Sequence, residues 1–286
     1  MRIGIGPYYL SKYGVREGGE RMRRHGYDCL DLDRYANTDG ELYCEGEDEF
    51  VALTEGWRDR LSEGGYNIWQ IHGPWRYPPN DSTPESRAER FDKMSRALLA
   101  AKILGAEFMA IHPLMPFGVE KHTEEQTAEL WRINIDFYTR LAAVGEKHGV
   151  VVCLENMPFP DFPISSAIDI MKLVTTVNHP YLRVCLDTGH ANVVTPTAAE
   201  SVKIIGKDYL KILHVHGNDG TTDSHLAPGH PADTVDWDAF REALCDIGFD
   251  GVVNLETSPD VKDREGDEIE RRELALAAFA KRLAGV

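Results

Sequence analysis

Short apolar runs alternate with longer segments of helical periodicity along the chain. The short runs are rich in Ile, Val, Leu and Phe, a composition typical of parallel strands that are covered by helices. They predict eight strands, at Arg2–Gly6, Asp28–Leu32, Asn67–Ile71, Glu107–Ile111, Val150–Glu155, Leu182–Asp187, Leu210–His216 and Gly251–Glu256. Because the strand–helix units repeat without a Pro- or Ser-rich linker, they predict one parallel α/β domain.

Four helical segments are well marked by their ends or by their apolar stripes. The first begins after the capping residue Thr83, covers Pro84–Leu104 and ends at Gly105. The second covers Thr123–His148, with an apolar stripe of 3.6-residue period. Two similar segments are predicted at Trp237–Ile247 and Glu268–Leu283.

Eight such units in 286 residues favour a single-domain (β/α)8 TIM barrel over residues 1–286. A doubly wound sheet is the competing architecture. It is disfavoured because the first strand, Ile3-Gly4-Ile5-Gly6-Pro7, lacks the third glycine of a phosphate-binding loop.

Composition narrows the classes of partner and compartment. The 31 Lys and Arg stand against 47 Asp and Glu, so the net charge is −16 and nucleic acid is not a favoured partner. No apolar run approaches the roughly 18 residues of a membrane span, and no signal peptide is recognisable. The odd number of cysteines fits a reducing compartment; they are Cys29, Cys44, Cys153, Cys185 and Cys245. We therefore expect a cytoplasmic protein without a membrane span.

The ends of the predicted strands carry the candidate chemistry. Six successive strands end in a His, Asp or Glu, namely His72, His112, Glu155, Asp187, the pair His214 and His216, and Glu256. In a barrel these ends meet at the rim where active sites are built. Clustered carboxylates repel one another unless a cation or protons intervene. Mixed carboxylate and imidazole donors suit Mn, Zn, Co or Fe better than Mg, and no cysteine is placed to form a thiolate site.

Two stretches, Cys185-Leu-Asp-Thr-Gly-His-Ala191 and His214 to Trp237, resemble the xylose-isomerase-like TIM barrel superfamily. That superfamily includes sugar isomerases, epimerases and the endonuclease IV branch of nucleases. Within the second stretch, the matching motifs are Asp223-Ser-His225, Pro228-Gly229 and Asp236-Trp237.

The resemblance implies that one divalent ion is held by Glu155, Asp187, His216 and Glu256. Mn or Zn is favoured, with Co and Mg as alternatives. By the same resemblance His190 binds substrate, and the remaining expected substrate contacts are His72, His112, His225 and Trp75.

This ligand set has a second interpretation. The nuclease branch holds three zinc ions with nine ligands, and all nine residue types have counterparts here. The candidates for a second metal site are His72, His112, His190, Asp223 and His225. The sequence therefore leaves open an abasic-site endonuclease or another phosphodiesterase.

The favoured function is isomerisation or epimerisation of a small sugar or polyol, of the ketose or inosose type. Glu155 and Glu256 would act as the acid and base around an enediolate. The epimerases tend to carry an Arg six residues after the ligand His, and this chain has Thr222 there. The same residues would also suit a dehydratase or lyase with enolate chemistry, or a barrel that binds a metal without catalysis. A homo-oligomer is also expected from the resemblance.

Overall fold

The computed structural model describes residues 1–38, 40–43, 45–79 and 81–286, so Cys44 lies outside the described residues. Eight strands form one sheet, and each corresponds to a predicted strand. They are β1 Arg2–Ile5, β2 Cys29–Leu32, β3 Ile68–His72, β4 Phe108–Ile111, β5 Val151–Glu155, β6 Leu182–Asp187, β7 Leu210–His214 and β8 Val252–Leu255.

All neighbouring strands run parallel, in the order β7-β6-β5-β4-β3-β2-β1-β8. The barrel closes just beyond β7, where Val215 forms a parallel bridge with Leu255 of β8. This closure explains why β7 ends at His214 and not at His216 as predicted, since the chain there leaves its pairing with β6. The (β/α)8 barrel predicted from the sequence is confirmed, and the doubly wound alternative is wrong.

Ten α-helices lie in the described part of the chain. They are α1 Tyr8–Tyr13, α2 Val15–His25, α3 Glu47–Glu63, α4 Pro84–Leu104, α5 Glu124–His148, α6 Ala167–Val177, α7 Thr188–Val193, α8 Ala198–Tyr209, α9 Trp237–Asp246 and α10 Asp267–Ala284. The four predicted helices correspond to α4, α5, α9 and α10. None of the described helices is long and apolar enough to cross a membrane.

Side-chain hydrogen bonds determine where α4 and α5 begin. Thr83 accepts a hydrogen bond from the Ser86 amide, as Thr123 does from Gln126, and each pair completes a reciprocal capping box. Left-handed glycines end the same two helices, Gly105 at φ 79° and Gly149 at φ 73°.

Successive residues along a strand alternate between its two faces, so residues two apart share a face. On one such face Cys153 precedes Glu155, Cys185 precedes Asp187, and Ile212 precedes His214. The two cysteines and Ile212 pack in a small apolar cluster that also contains Phe108 and Ala110. Each of these strands therefore continues from an apolar base to a polar upper end, and the site lies at that end.

Candidate metal centre and active site

The upper strand ends surround a cavity of about 340 Å³. Polar side chains from β3, β5 and the segments after β4 and β8 form its floor, and residues of the following loops form its walls. It is lined by His72, Trp75, Tyr77, His112, Glu155, Met157, Pro158, Phe159, His190, Asp223, His225 and Glu256. A concave pocket with convergent polar groups at this end of a barrel is the expected place for catalysis.

Glu155 is at the centre of the floor and is 1% exposed. One carboxylate oxygen, Oε2, lies 3.4 Å from His112 Nε2 and 3.7 Å from His72 Nε2. The other, Oε1, lies 3.0 Å from His214 Nδ1. Glu155 thus joins imidazoles from three different strand ends.

Asp187 is fully buried and ends β6. Its Oδ1 accepts a hydrogen bond from the backbone amide of His190 at 2.6 Å, so the carboxylate also caps α7. Its Oδ2 lies 3.0 Å from His216 Nε2. Asn156 holds the Asp187 backbone on both sides, donating to its carbonyl at 3.0 Å and accepting from its amide at 2.8 Å.

Gly189 makes room for the His216 ring. A Cβ atom at this position would lie 2.0 Å from His216 Cε1, far inside contact distance. The Thr-Gly-His sequence after Asp187 is therefore explained by packing, because a side chain at the glycine would displace the imidazole.

The loop after β7 brings Asp223 and His225 over the floor. Asp223 Oδ2 lies 3.2 Å from His190 Nε2, and Asp223 Oδ1 lies 3.5 Å from His225 Nε2. The His225 ring stacks on His216 at a centroid distance of 3.9 Å. The predicted motif Asp223-Ser-His225 is thus adjacent to the carboxylates of the strand ends.

Several overlapping groups of ligand atoms occur here, and within each group the atoms lie within 4.8 Å of one another. They are His72, His112 and Glu155; Asp187, His190 and His216; His216, Asp223 and His225; and Glu155, Asp187, His214 and Glu256. Three of the four residues predicted to share one ion, Glu155, Asp187 and Glu256, are together in one group, whereas His216 shares a group with Asp187.

The donors fit a divalent cation. Each of the four predicted ligands has one buried atom that makes no hydrogen bond: Glu155 Oε2, Asp187 Oδ2, His216 Nε2 and Glu256 Oε2. Buried polar atoms are nearly always paired, and unpaired buried carboxylates are costly. A cation that accepts both oxygen and nitrogen ligands would satisfy buried atoms of this kind.

His214 is a site residue to which sequence reasoning gave no role. It is fully buried, and its Nδ1 lies 3.0 Å from Glu155 Oε1 and 3.1 Å from Glu256 Oε2. Its Nε2 lies 3.2 Å from Oδ2 of Asp31, on β2. The signal in the sequence was the His-Val-His pattern, in which residues 214 and 216 share a face of one strand.

Asp31 is itself held in place below the floor. Its Oδ2 accepts hydrogen bonds from Gln70 Nε2 and Asn254 Nδ2, both at 2.9 Å. Carboxylates that orient a histidine beside a metal site contribute to metal affinity, although they are not ligands. This network crosses the barrel from β2 and β3 to β8, so no local sequence pattern could have revealed it.

One cysteine approaches the site. Cys185 Sγ lies within 4.8 Å of ligand atoms of Glu155 and His214. Cys185 lies two residues before Asp187 on the same face of β6, and therefore beneath the floor. Burial raises the pKa of the Cys185 thiol well above its usual range, so the group remains a thiol and not a thiolate.

The two glutamates have opposite pKa shifts. Burial raises the pKa of Glu155, but His214 and His112 lower it more, so the pKa lies well below its usual range. Burial raises the pKa of Glu256 to about 8, with repulsion from Glu155 adding to the shift and His214 opposing it. Without a cation, Glu155 is ionised and Glu256 holds a proton near neutral pH.

The histidines of the site also have opposite pKa shifts. Burial, with the neighbouring His112, lowers the pKa of His72 to about 4. Burial also lowers the pKa of His190, but the carboxylates of Asp187 and Asp223 outweigh it and raise the pKa to about 10. Near neutral pH the His72 imidazole is therefore neutral, whereas the His190 imidazole carries a proton on each nitrogen.

Aromatic side chains form one wall of the cavity. Trp75 is 38% exposed and packs edge-on against His112 at a centroid distance of 4.7 Å. Tyr77 stacks on Phe159 at 5.9 Å, with an angle of 15° between the rings. Exposed aromatic faces beside polar groups suit the apolar faces of a sugar ring.

The site residues named from the sequence are therefore brought together around one cavity. His72, Trp75, His112, His190 and His225 line it with Glu155 and Glu256. Asp187 and His216 lie just beneath, each with 0% exposure. Their roles as ligands or substrate contacts remain predictions.

A model of the xylose isomerase-like TIM barrel matches residues 20–279. The chain belongs to this family. The D-psicose 3-epimerase of Ruminiclostridium cellulolyticum is 31% identical over 245 residues, which are 83% of this chain and 76% of that protein. An inosose isomerase of Bacillus subtilis is 25% identical over 185 residues, which are 62% of this chain and 63% of that protein. The family resemblance stated from the sequence is confirmed.

Solved structures share the fold along the whole chain. A D-psicose 3-epimerase crystallised in the presence of D-fructose superposes with a TM-score of 0.76 at 17% identity and covers 100% of both chains. The IOLI protein, crystallised with a zinc atom, superposes with a TM-score of 0.71 at 19% identity. That alignment covers 99% of this chain and 96% of the other. At these identities the likeness establishes the barrel.

Proposed function

We propose that the protein is a divalent-metal-dependent isomerase or epimerase of a small ketose or inosose. The observation that carries the proposal is the set of four buried, unpaired ligand atoms on Glu155, Asp187, His216 and Glu256, at and just beneath the floor of one cavity. The family membership and the names of the relatives, an epimerase and an isomerase of small sugars and polyols, support the same class of substrate.

These four residues would hold the ion, and Mn or Zn suits their oxygen and nitrogen donors. A divalent ion bound there supplies a Lewis acid that stabilises negative charge developing on substrate oxygens. His214 lies beneath Glu155 and Glu256 and keeps their carboxylates oriented toward the cavity.

Glu155 and Glu256 are the candidate acid and base. They come from β5 and from the end of β8, so they reach a bound sugar from different sides of the barrel. One would remove a proton from the carbon beside the carbonyl, and the other would return a proton to the resulting enediolate. His72, His112, His190 and His225 would contact hydroxyl groups, and Trp75 would cover an apolar face.

Hydrogen–deuterium exchange tests this assignment. Ketoses and inososes incubated with the Mn-loaded protein in heavy water should gain one deuterium at the carbon beside the carbonyl, detected by mass spectrometry. Glu155→Gln and Glu256→Gln each keep an oxygen ligand but remove the base, so we expect exchange to fall by roughly 100-fold or more. Glu242→Gln, an exposed position on α9, is the matched control. Exchange at the wild-type rate in both site variants would refute the two-base assignment.

One observation favours a second candidate. His72, His112 and Glu155 form a ligand group apart from the one that contains Asp223 and His225, as a site for several ions would require. This arrangement keeps a metal-dependent phosphodiesterase as the alternative. We expect one tightly held ion after dialysis, and elemental analysis with close to three zinc ions per chain would favour the alternative.

A further inference from the structure

A second cavity adjoins the first at the candidate metal centre. Its volume is about 680 Å³, twice that of the first, and it shares Glu256 and His225 with it. It lies on the side of the barrel formed by α1 and the segment after β8. A ligand that occupied both cavities would pass directly over the candidate acid–base residue Glu256.

The two cavities differ in chemistry. The first has the aromatic wall, whereas the second combines Gly6, Pro7 and Tyr8 with a larger set of hydroxyl and charged groups: Ser11, Lys12, Asp33, Thr257 and Ser258. Within the described ranges Lys12 forms no salt bridge, and its Nζ lies 5.7 and 5.8 Å from the ring centroids of Tyr8 and Tyr13. An ammonium with free donors, a carboxylate and several hydroxyls form a surface that matches the hydroxyl groups of a sugar.

Buried hydrogen bonds anchor the helix that carries Lys12. Glu273 of α10 has a fully buried side chain and accepts hydrogen bonds from Tyr8 at 2.8 Å, Tyr13 at 2.6 Å and Arg21 at 2.6 Å. These bonds tie α1, which carries Ser11 and Lys12, to α2 and α10. Such anchoring is what a preformed site for a small molecule requires.

We propose that this second cavity binds a second sugar unit, so that the substrate is a ketose or inosose glycoside of at least disaccharide size. The proposal rests on the proposed function, because it places the reacting sugar in the first cavity. A phosphate group fits the second cavity less well, since the carboxylate of Asp33 lines it together with the single Lys12 and opposes the binding of a dianion. An apolar group fits poorly because it would bury the ammonium and hydroxyls without partners.

Calorimetry with the Mn-loaded protein tests the proposal. The probes are fructose, fructose 6-phosphate and four glucosyl fructoses with a free keto group, linked through O3, O4, O5 or O6. At least one glucosyl fructose should bind about tenfold more tightly than fructose. Lys12→Ala should reduce the ratio of the two affinities by up to about tenfold, so that most of the gain is lost with the charged hydrogen-bond donor. Lys203→Ala, an exposed lysine on α8, is the matched control that should keep the ratio.

Ser11→Phe, which fills the same cavity from α1, should lower the ratio without removing a charge. If fructose binds in a metal-dependent way and every glucosyl fructose binds no better, the inference is overturned and the proposed function stands. A gain of affinity for fructose 6-phosphate that depends on Lys12 overturns it in favour of a phosphate site. Failure of every probe to bind, together with absence of deuterium exchange, would count against the proposed function itself.

Discussion

Removal of the buried carboxylate of Glu273 should destabilise the protein strongly although the residue lies outside the active site. Its side chain has 0% exposure and pairs with Arg21, whose side chain is 17% exposed. Tyr8 and Tyr13 donate to the same carboxylate. Burial and Glu273 together raise the pKa of Tyr13 to about 12, so that hydroxyl stays protonated and keeps donating.

The expected size follows from what Glu273→Ala leaves behind. Removing one partner of a buried ion pair costs about 3–5 kcal/mol of the free energy of unfolding. Because Arg21 and both tyrosines retain some access to water, the lower end, about 3 kcal/mol, is expected. Glu273→Gln keeps an acceptor and loses only the charge, so we expect a loss of about 1.5–3 kcal/mol.

Urea denaturation followed by circular dichroism measures these differences as shifts of the midpoint at unchanged slope. Glu63→Ala is the matched control, since Glu63 pairs with Arg16 at 3.5 Å while their side chains are 62% and 81% exposed. An exposed pair of this kind contributes about 0–1 kcal/mol. The reasoning is refuted if Glu273→Ala and Glu63→Ala differ by less than about 1 kcal/mol.

Three further predictions concern the metal centre. Asp187→Ala should lose the tightly bound ion in elemental analysis yet keep a cooperative thermal transition, and full metal occupancy would contradict its role as a ligand. Gly189→Ala should weaken metal affinity because the added Cβ meets His216, and an unchanged affinity in a chelator competition would count against His216 as a ligand. Asp31→Asn should lower metal affinity by about 10–100-fold through His214, with the far-UV spectrum unchanged, and wild-type affinity would leave Asp31 with only a packing role.

Much of the barrel follows from local sequence. The eight strands were recognisable because each is a short apolar run between polar segments. The starts of α4 and α5 were recognisable because Thr83 and Thr123 form capping boxes with residues only three positions later. Six of the strand ends could also be assigned to the candidate site from the sequence alone. A parallel barrel places every strand's carboxyl end on one rim, so a His or acidic residue there is near the others whatever the strand order.

Tertiary structure alone decided which of these side chains meet. His214 and His216 are both polar and both follow the same apolar run, and the sequence could not tell that His214 lies between Glu155, Glu256 and Asp31. Asp31 and Asn254 are 223 residues apart in the sequence. Their hydrogen bond forms because β2 and β8 flank β1 in the sheet and are therefore only one strand apart. The two-residue alternation of side chains along a strand predicts which face of the strand a residue occupies. Only the closed barrel determines which residues lie opposite that face.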